Sequence, residues 1–136
     1  MRGLGDRCTR LDRIEPELNS ALPGDPRDTT TPVAMLGLLR ALLLGHALSP
    51  GSRRQLTAWM RATQTSAQRL RAPLAPGWLL ADKTGTGERG AASDVGVYWT
   101  PAGTPVVVAV YLAETRGDAA ARSAAIAEVG RWIVQG

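Results

Sequence analysis

The sequence predicts an α+β fold: two short helices, three antiparallel strands and a closing helix, preceded by a long ordered loop. Three observations carry this. Apolar residues recur at three- and four-residue spacing through 33–43 and again around 56–60, as they do along packed helices. Short β-branched and aromatic runs follow at 78–81, 95–99 and 106–112, the last two separated by the turn residues Pro101, Ala102 and Gly103. An alanine-rich stretch at 118–134 then returns to helical spacing.

Residues 10–31 hold three prolines, at 16, 23 and 26, with many charges and no sustained period. A loop of that length inside one domain is usually functional. Thr31-Pro32 opens the first helix, with Thr31 as N-cap and proline at the first helical position. Val33, Leu36, Leu39, Leu42 and Leu43 form its apolar stripe, and Gly45 stops it. Ser49-Pro50 starts the second helix in the same way, with Leu56, Trp59 and Met60 expected inward and Arg53, Arg54 and Arg61 largely outward. The strands come next, then a final helix with Ile126, Val129, Trp132 and Ile133 in register. No repeat, linker or low-complexity tail divides the chain, so its 136 residues read as one domain.

Composition excludes several classes. The net charge of +4 comes from arginines scattered between Arg2 and Arg131, without a basic stripe or interleaved aromatics, so nucleic-acid binding is not expected. No apolar run is long enough to span a membrane, and residues 1–8 have no signal-peptide pattern. Cys8 is the only cysteine, so there is no internal disulfide and no multi-cysteine metal site, and it reads as a small buried hydrophobe. His46 is also alone, at a helix end, where capping or solvation suits it better than catalysis. No metal or cofactor is expected.

One lysine stands against fifteen arginines, in Asp82-Lys83-Thr84-Gly85-Thr86-Gly87 at the end of a strand pattern spanning about 78–86. Alternation places Thr84 and Thr86 on one face, where hydroxyls can bind an anionic group, and the glycines allow close approach to the backbone. Upstream, Arg13-Ile14-Glu15-Pro16-Glu17-Leu18-Asn19 precedes Pro23-Gly24-Asp25-Pro26-Arg27-Asp28. Alone, each segment has a plain reading, as a polar turn or as solvated loop acids. Together, in this order and spacing, they resemble the class A serine β-lactamases: the lysine-threonine-glycine strand and the Ω-loop of about 10–31.

The resemblance implies roles residue by residue. Glu15 would be the general base that activates the water hydrolysing the acyl-enzyme, since a carboxylate can take a proton from a water it touches. Asn19 would help hold that water, and Pro16 would follow a cis peptide. Arg13 and Asp28 would close the neck of the loop, a guanidinium fork against a carboxylate. Lys83 and Thr84 would recognise the substrate carboxylate, Gly85 would let it approach, and the N–H of Thr86 would supply half of an oxyanion hole. Many relatives carry an arginine near Ala92 for the same carboxylate; here the nearest substitutes are Arg69 and its competitor Arg71.

The same resemblance implies what is missing. A serine-x-x-lysine nucleophile motif cannot occur when the only lysine follows Leu80 by three residues, and Ser93-Asp94-Val95 is not the serine-aspartate-asparagine motif. The chain therefore reads as the C-terminal part of a class A enzyme, a single incomplete domain over 1–136, inactive alone for want of its nucleophile. Its implied partners are a β-lactam antibiotic and a complementing N-terminal half. Two other classes stay open: a non-catalytic remnant or binding protein of the same fold, and a penicillin-binding-protein-like transpeptidase or carboxypeptidase, which would lack the Glu15 to Asn19 loop. The family resemblance implies a periplasmic or secreted enzyme, whereas the chain as it stands would remain cytoplasmic.

Overall fold

Alternation along three strands sends their side chains into two separate apolar layers, and helices of different origin cover each. The computed structural model describes residues 1–136. After a 3-10 turn at Arg2–Leu4 and another at Glu17–Asn19 come α1 (Pro32–Leu39), continued by a π-helical turn (Arg40–Leu44), and α2 (Pro50–Arg61). Then follow β1 (Leu79–Thr86), β2 (Ala92–Trp99), β3 (Pro105–Leu112) and α3 (Ala119–Gln135). The sheet is antiparallel in the order β1-β2-β3, with Thr84 opposite Asp94 and Lys83 opposite Val95.

One layer joins Ala81, Val95 and Val97 to Leu39, Leu43 and Met60 beneath α1 and α2. The other joins Leu80, Ala92, Tyr98 and Val108 to Leu70 and to Ile126 of α3. Trp78 stacks edge-on against Tyr98 with ring centroids 6.0 Å apart, a geometry the aromatic quadrupole favours. At Gly96 the strands come so close that an added Cβ would press on the Ala81 carbonyl and stand 2.9 Å from the Asp82 Cα.

The caps form where expected. Thr31 accepts the Ala34 N–H at 3.2 Å and Ser49 accepts that of Ser52 at 3.2 Å, each with proline at the first helical turn. Asp118 caps α3 by accepting the Ala121 N–H at 2.8 Å. Four expectations need correction. Val33 is 78% exposed and Leu38 is buried instead: α1 is apolar on nearly every side, so its stripe does not define a face. Trp59 and Trp132, assigned to apolar faces by spacing, are 67% and 69% exposed, because each helix buries only a narrow seam against the sheet. Cys8 is exposed, lying in the irregular segment ahead of the loop.

Candidate active site

The loop at 10–31 is held shut at its neck by a web around two aspartates. Asp28 accepts the Arg13 Nε at 2.6 Å and the N–H groups of Asp12 and Arg13 at 2.6 and 3.0 Å, while its own N–H donates to Asp12 at 3.1 Å. Asp28 takes a left-handed φ of 57°, which aspartate tolerates better than most residues. Desolvation pushes its carboxyl up, but the hydrogen bonds from Arg13 and Asp12 outweigh it and bring it to about 2. Hydrogen bonds from the Arg27 side chain and N–H hold Asp25 at about 2 as well, with Arg13 also nearby, 3.7 Å away.

Inside this closure the peptide between Glu15 and Pro16 is cis, and the turn at Glu17–Asn19 folds back so that the Asn19 side-chain amide donates to the Glu15 carboxylate. Glu15 is exposed and Asn19 half-buried. The turn is fixed from across the molecule: the Glu88 N–H donates to the Asn19 carbonyl at 2.9 Å, and Arg89 donates to the Ser20 carbonyl. Gly87 permits the approach, since a Cβ there would stand 2.9 Å from the same Asn19 carbonyl. The β1–β2 hairpin thus grips the loop beside the Glu15–Asn19 pair.

On β1, Lys83 is exposed and its Nζ donates to the Thr84 carbonyl at 2.6 Å. The Thr84 and Thr86 hydroxyls share the opposite face: Thr84 is bonded to the Thr65 hydroxyl at 2.5 Å, and Thr86 accepts from Arg69 at 2.8 Å. Arg69 also donates to the carbonyls of Gly85 and Ser93, both at 2.8 Å. Its competitor Arg71 turns inward instead, to the buried Asp82 and to the Ser66 hydroxyl at 3.0 Å. Of the two candidate guanidinium groups, only that of Arg69 reaches the outer end of β1.

A cleft of about 420 Å³ runs between the loop and the sheet, bordered by Asn19, Leu22, Asp28, Thr86, Gly87 and Tyr111. Glu15, Lys83 and Arg69 stand outside that border, and Glu15 and Lys83 make no hydrogen bond to each other. No group of three or more histidine, cysteine, aspartate or glutamate side chains is arranged to hold a metal, and no helix is long and apolar enough to cross a membrane. His46 is exposed, in an irregular turn. Sequence reasoning passed over Arg89, Asp82 and Asp94; the available signal was two acids placed inside strand patterns.

The profile of the "Beta-lactamase enzyme family" matches residues 1–136. The chain is 52% identical over 130 residues to the β-lactamase AER-1 of Aeromonas hydrophila, covering 96% of this chain and 43% of that one. It is 48% identical over 135 residues to a β-lactamase of Streptomyces albus G, covering 99% and 43%. Among solved structures, an ancestral class A β-lactamase (GNCA) superposes with a TM-score of 0.96 at 59% identity, over 98% of this chain and 52% of the other. The chromosome-encoded β-lactamase of Vibrio parahaemolyticus gives 0.94 at 41% identity, over 98% and 51%. The chain spans about half the length of these relatives. With that extent of identity and superposition, the chain belongs to the β-lactamase enzyme family and constitutes part of a class A serine member.

Proposed function

We propose that this chain supplies the deacylation base and the carboxylate-recognition strand for hydrolysis of a β-lactam amide through a serine acyl-enzyme. The observation that carries the reading is the Glu15–Asn19 pair, hydrogen-bonded within a closed loop and gripped by the hairpin that follows Lys83. In the proposed step Glu15 takes a proton from a water held with Asn19, and the water oxygen attacks the acyl carbonyl. The bond to the serine oxygen breaks, that oxygen recovers the proton, and the opened product leaves as an acid. Lys83, Thr84 and Arg69 present positive charge and a hydroxyl to the substrate carboxylate, and the Thr86 N–H stabilises the oxyanion.

None of the chain's serines is followed three residues later by lysine, so the nucleophile has to come from residues outside these 136. The chain alone should leave a chromogenic cephalosporin unhydrolysed above the buffer rate. Adding the N-terminal half of a close class A relative should restore hydrolysis that Glu15→Ala abolishes. Turnover by the chain alone, or restored turnover indifferent to Glu15→Ala, would overturn this reading. A non-catalytic binding role is favoured only if neither mixture turns over while the chain still binds the antibiotic.

A further inference from the structure

Behind the Lys83 strand lie two fully buried carboxyl groups, Asp82 on β1 and Asp94 on β2, both 0% exposed. Thr84 is directly opposite Asp94 in the register, so Asp82, two residues before Thr84, is the diagonal neighbour of Asp94 on the same face. Each carboxyl has one oxygen with a donor. Arg71 donates to Asp82 Oδ1, and the Leu70 N–H donates to Asp94 Oδ2 at 3.2 Å. Asp82 Oδ2 and Asp94 Oδ1 are buried with no partner.

Ionised carboxylates only accept hydrogen bonds, so two of them side by side in an apolar layer leave both orphan oxygens unsatisfied and repel each other. One proton between them satisfies both. The same aspartate is stitched to the loop that carries Arg69: Leu70, its donor, is the next residue, and Arg69 donates to the carbonyl of Ser93, the residue before Asp94.

We propose that Asp82 and Asp94 share one proton between Asp82 Oδ2 and Asp94 Oδ1, and that Asp94, so held, is the positioning residue that seats Arg69 against Gly85 and Thr86. The charged and titratable groups facing the pair are Arg69 and Arg71 from the preceding loop and Tyr98 from β2, whose hydroxyl donates to the Leu70 carbonyl. From α3 only uncharged residues arrive, Ile126 in the same apolar layer and Gly130 against the Tyr98 hydroxyl. Burial, reinforced by the Asp82 charge, pushes the Asp94 carboxyl from 3.8 up to about 7. The folded chain therefore binds this proton more tightly than the unfolded chain. The resulting stability is complete below 3.8 and is lost as pH rises to about 7.

The positioning role rests on the proposed carboxylate recognition, whereas the shared proton does not. The test is therefore made on the full chain without any β-lactam. Carbon NMR of the aspartate carboxyls should show one titration near neutral pH that vanishes in both Asp94→Asn and Asp82→Asn. If every aspartate titrates below about pH 5, within the ordinary range, the shared proton is overturned. Asp94→Asn keeps an acceptor for Leu70 and a donor for Asp82; Asp94→Ala keeps neither. At about pH 6, Arg69 guanidinium hydrogens, assigned with Arg69→Lys, should exchange about tenfold faster in Asp94→Ala than in wild type. Asp94→Asn should restore the wild-type rate. Equal exchange in wild type and Asp94→Ala would overturn the positioning role, even if the carboxyl titration is found.

Discussion

Arg13 and Asp28, fifteen residues apart, meet at 2.6 Å and close the loop that contains Glu15, the carboxylate accepting in addition two backbone N–H groups. The arginine is therefore one strand of a web rather than an isolated surface pair, which would contribute little. Asp28→Asn should leave the sheet folded but loosen the loop, and protease cleavage after Glu17 should accelerate several-fold. Cleavage at the wild-type rate would show that the backbone closes the loop without this carboxylate.

The same web predicts an acid response. Asp25 and Asp28 are both held at about 2, below the ordinary 3.8, so the stability they contribute is present above 3.8 and lost as pH falls toward about 2. Loop opening, followed by the rate at which an acid-active protease cuts beside the apolar residues of the loop, such as Leu18 and Leu22, should rise across this interval. The rise should shrink in Asp28→Asn. An identical acid profile in the variant would remove Asp28 from the cause.

Arg89 bridges to the Ser20 carbonyl from the turn between β1 and β2. A typical hydrogen bond contributes about 1 kcal/mol net, enough to alter local opening without unfolding the chain. Arg89→Ala should raise amide exchange at residues 19–22, with little change in strands β1 to β3. Exchange that rises uniformly through the sheet would indicate a global effect instead of a latch.

In a protein completed with the N-terminal half of a class A relative, Glu15→Gln keeps the shape and removes the proposed base, so acyl-enzyme should accumulate on the serine of that half as a mass increase. Lys83→Ala removes a cation from the encounter before acylation, so little adduct should form. Equal adduct in the two variants would mean that at least one of these roles is wrongly assigned.

Gly96→Ala tests the packing beneath the site. The added Cβ would meet the Ala81 carbonyl and the Asp82 Cα across the strands, where backbone cannot yield as a side-chain tip can. Overpacking of this kind costs about 1–3 kcal/mol, and urea unfolding should show a lower midpoint with an unchanged slope. An unchanged midpoint would show that the β1–β2 pair can spread without loss.

The features legible in the sequence are those whose cause is local or rests on a contiguous motif. Thr31-Pro32 and Ser49-Pro50 cap helices because the capping oxygen and the N–H it accepts lie three residues apart. Alternation placed Thr84 and Thr86 on one face because the strand period is two, and the motif from Arg13 to Asp28 identified the loop. Tertiary structure decided the rest. Whether Arg69 or Arg71 reaches the end of β1 depends on where the loop crosses the sheet, and the two differ only in which carbonyls and carboxylates the fold brings near. Trp59 and Trp132 have apolar spacing but lie beyond the seam that each helix buries, and spacing does not reveal seam width. The proximity of Asp82 to Asp94 arises from strand register across a turn, a non-local pairing that neither acid's own neighbourhood encodes.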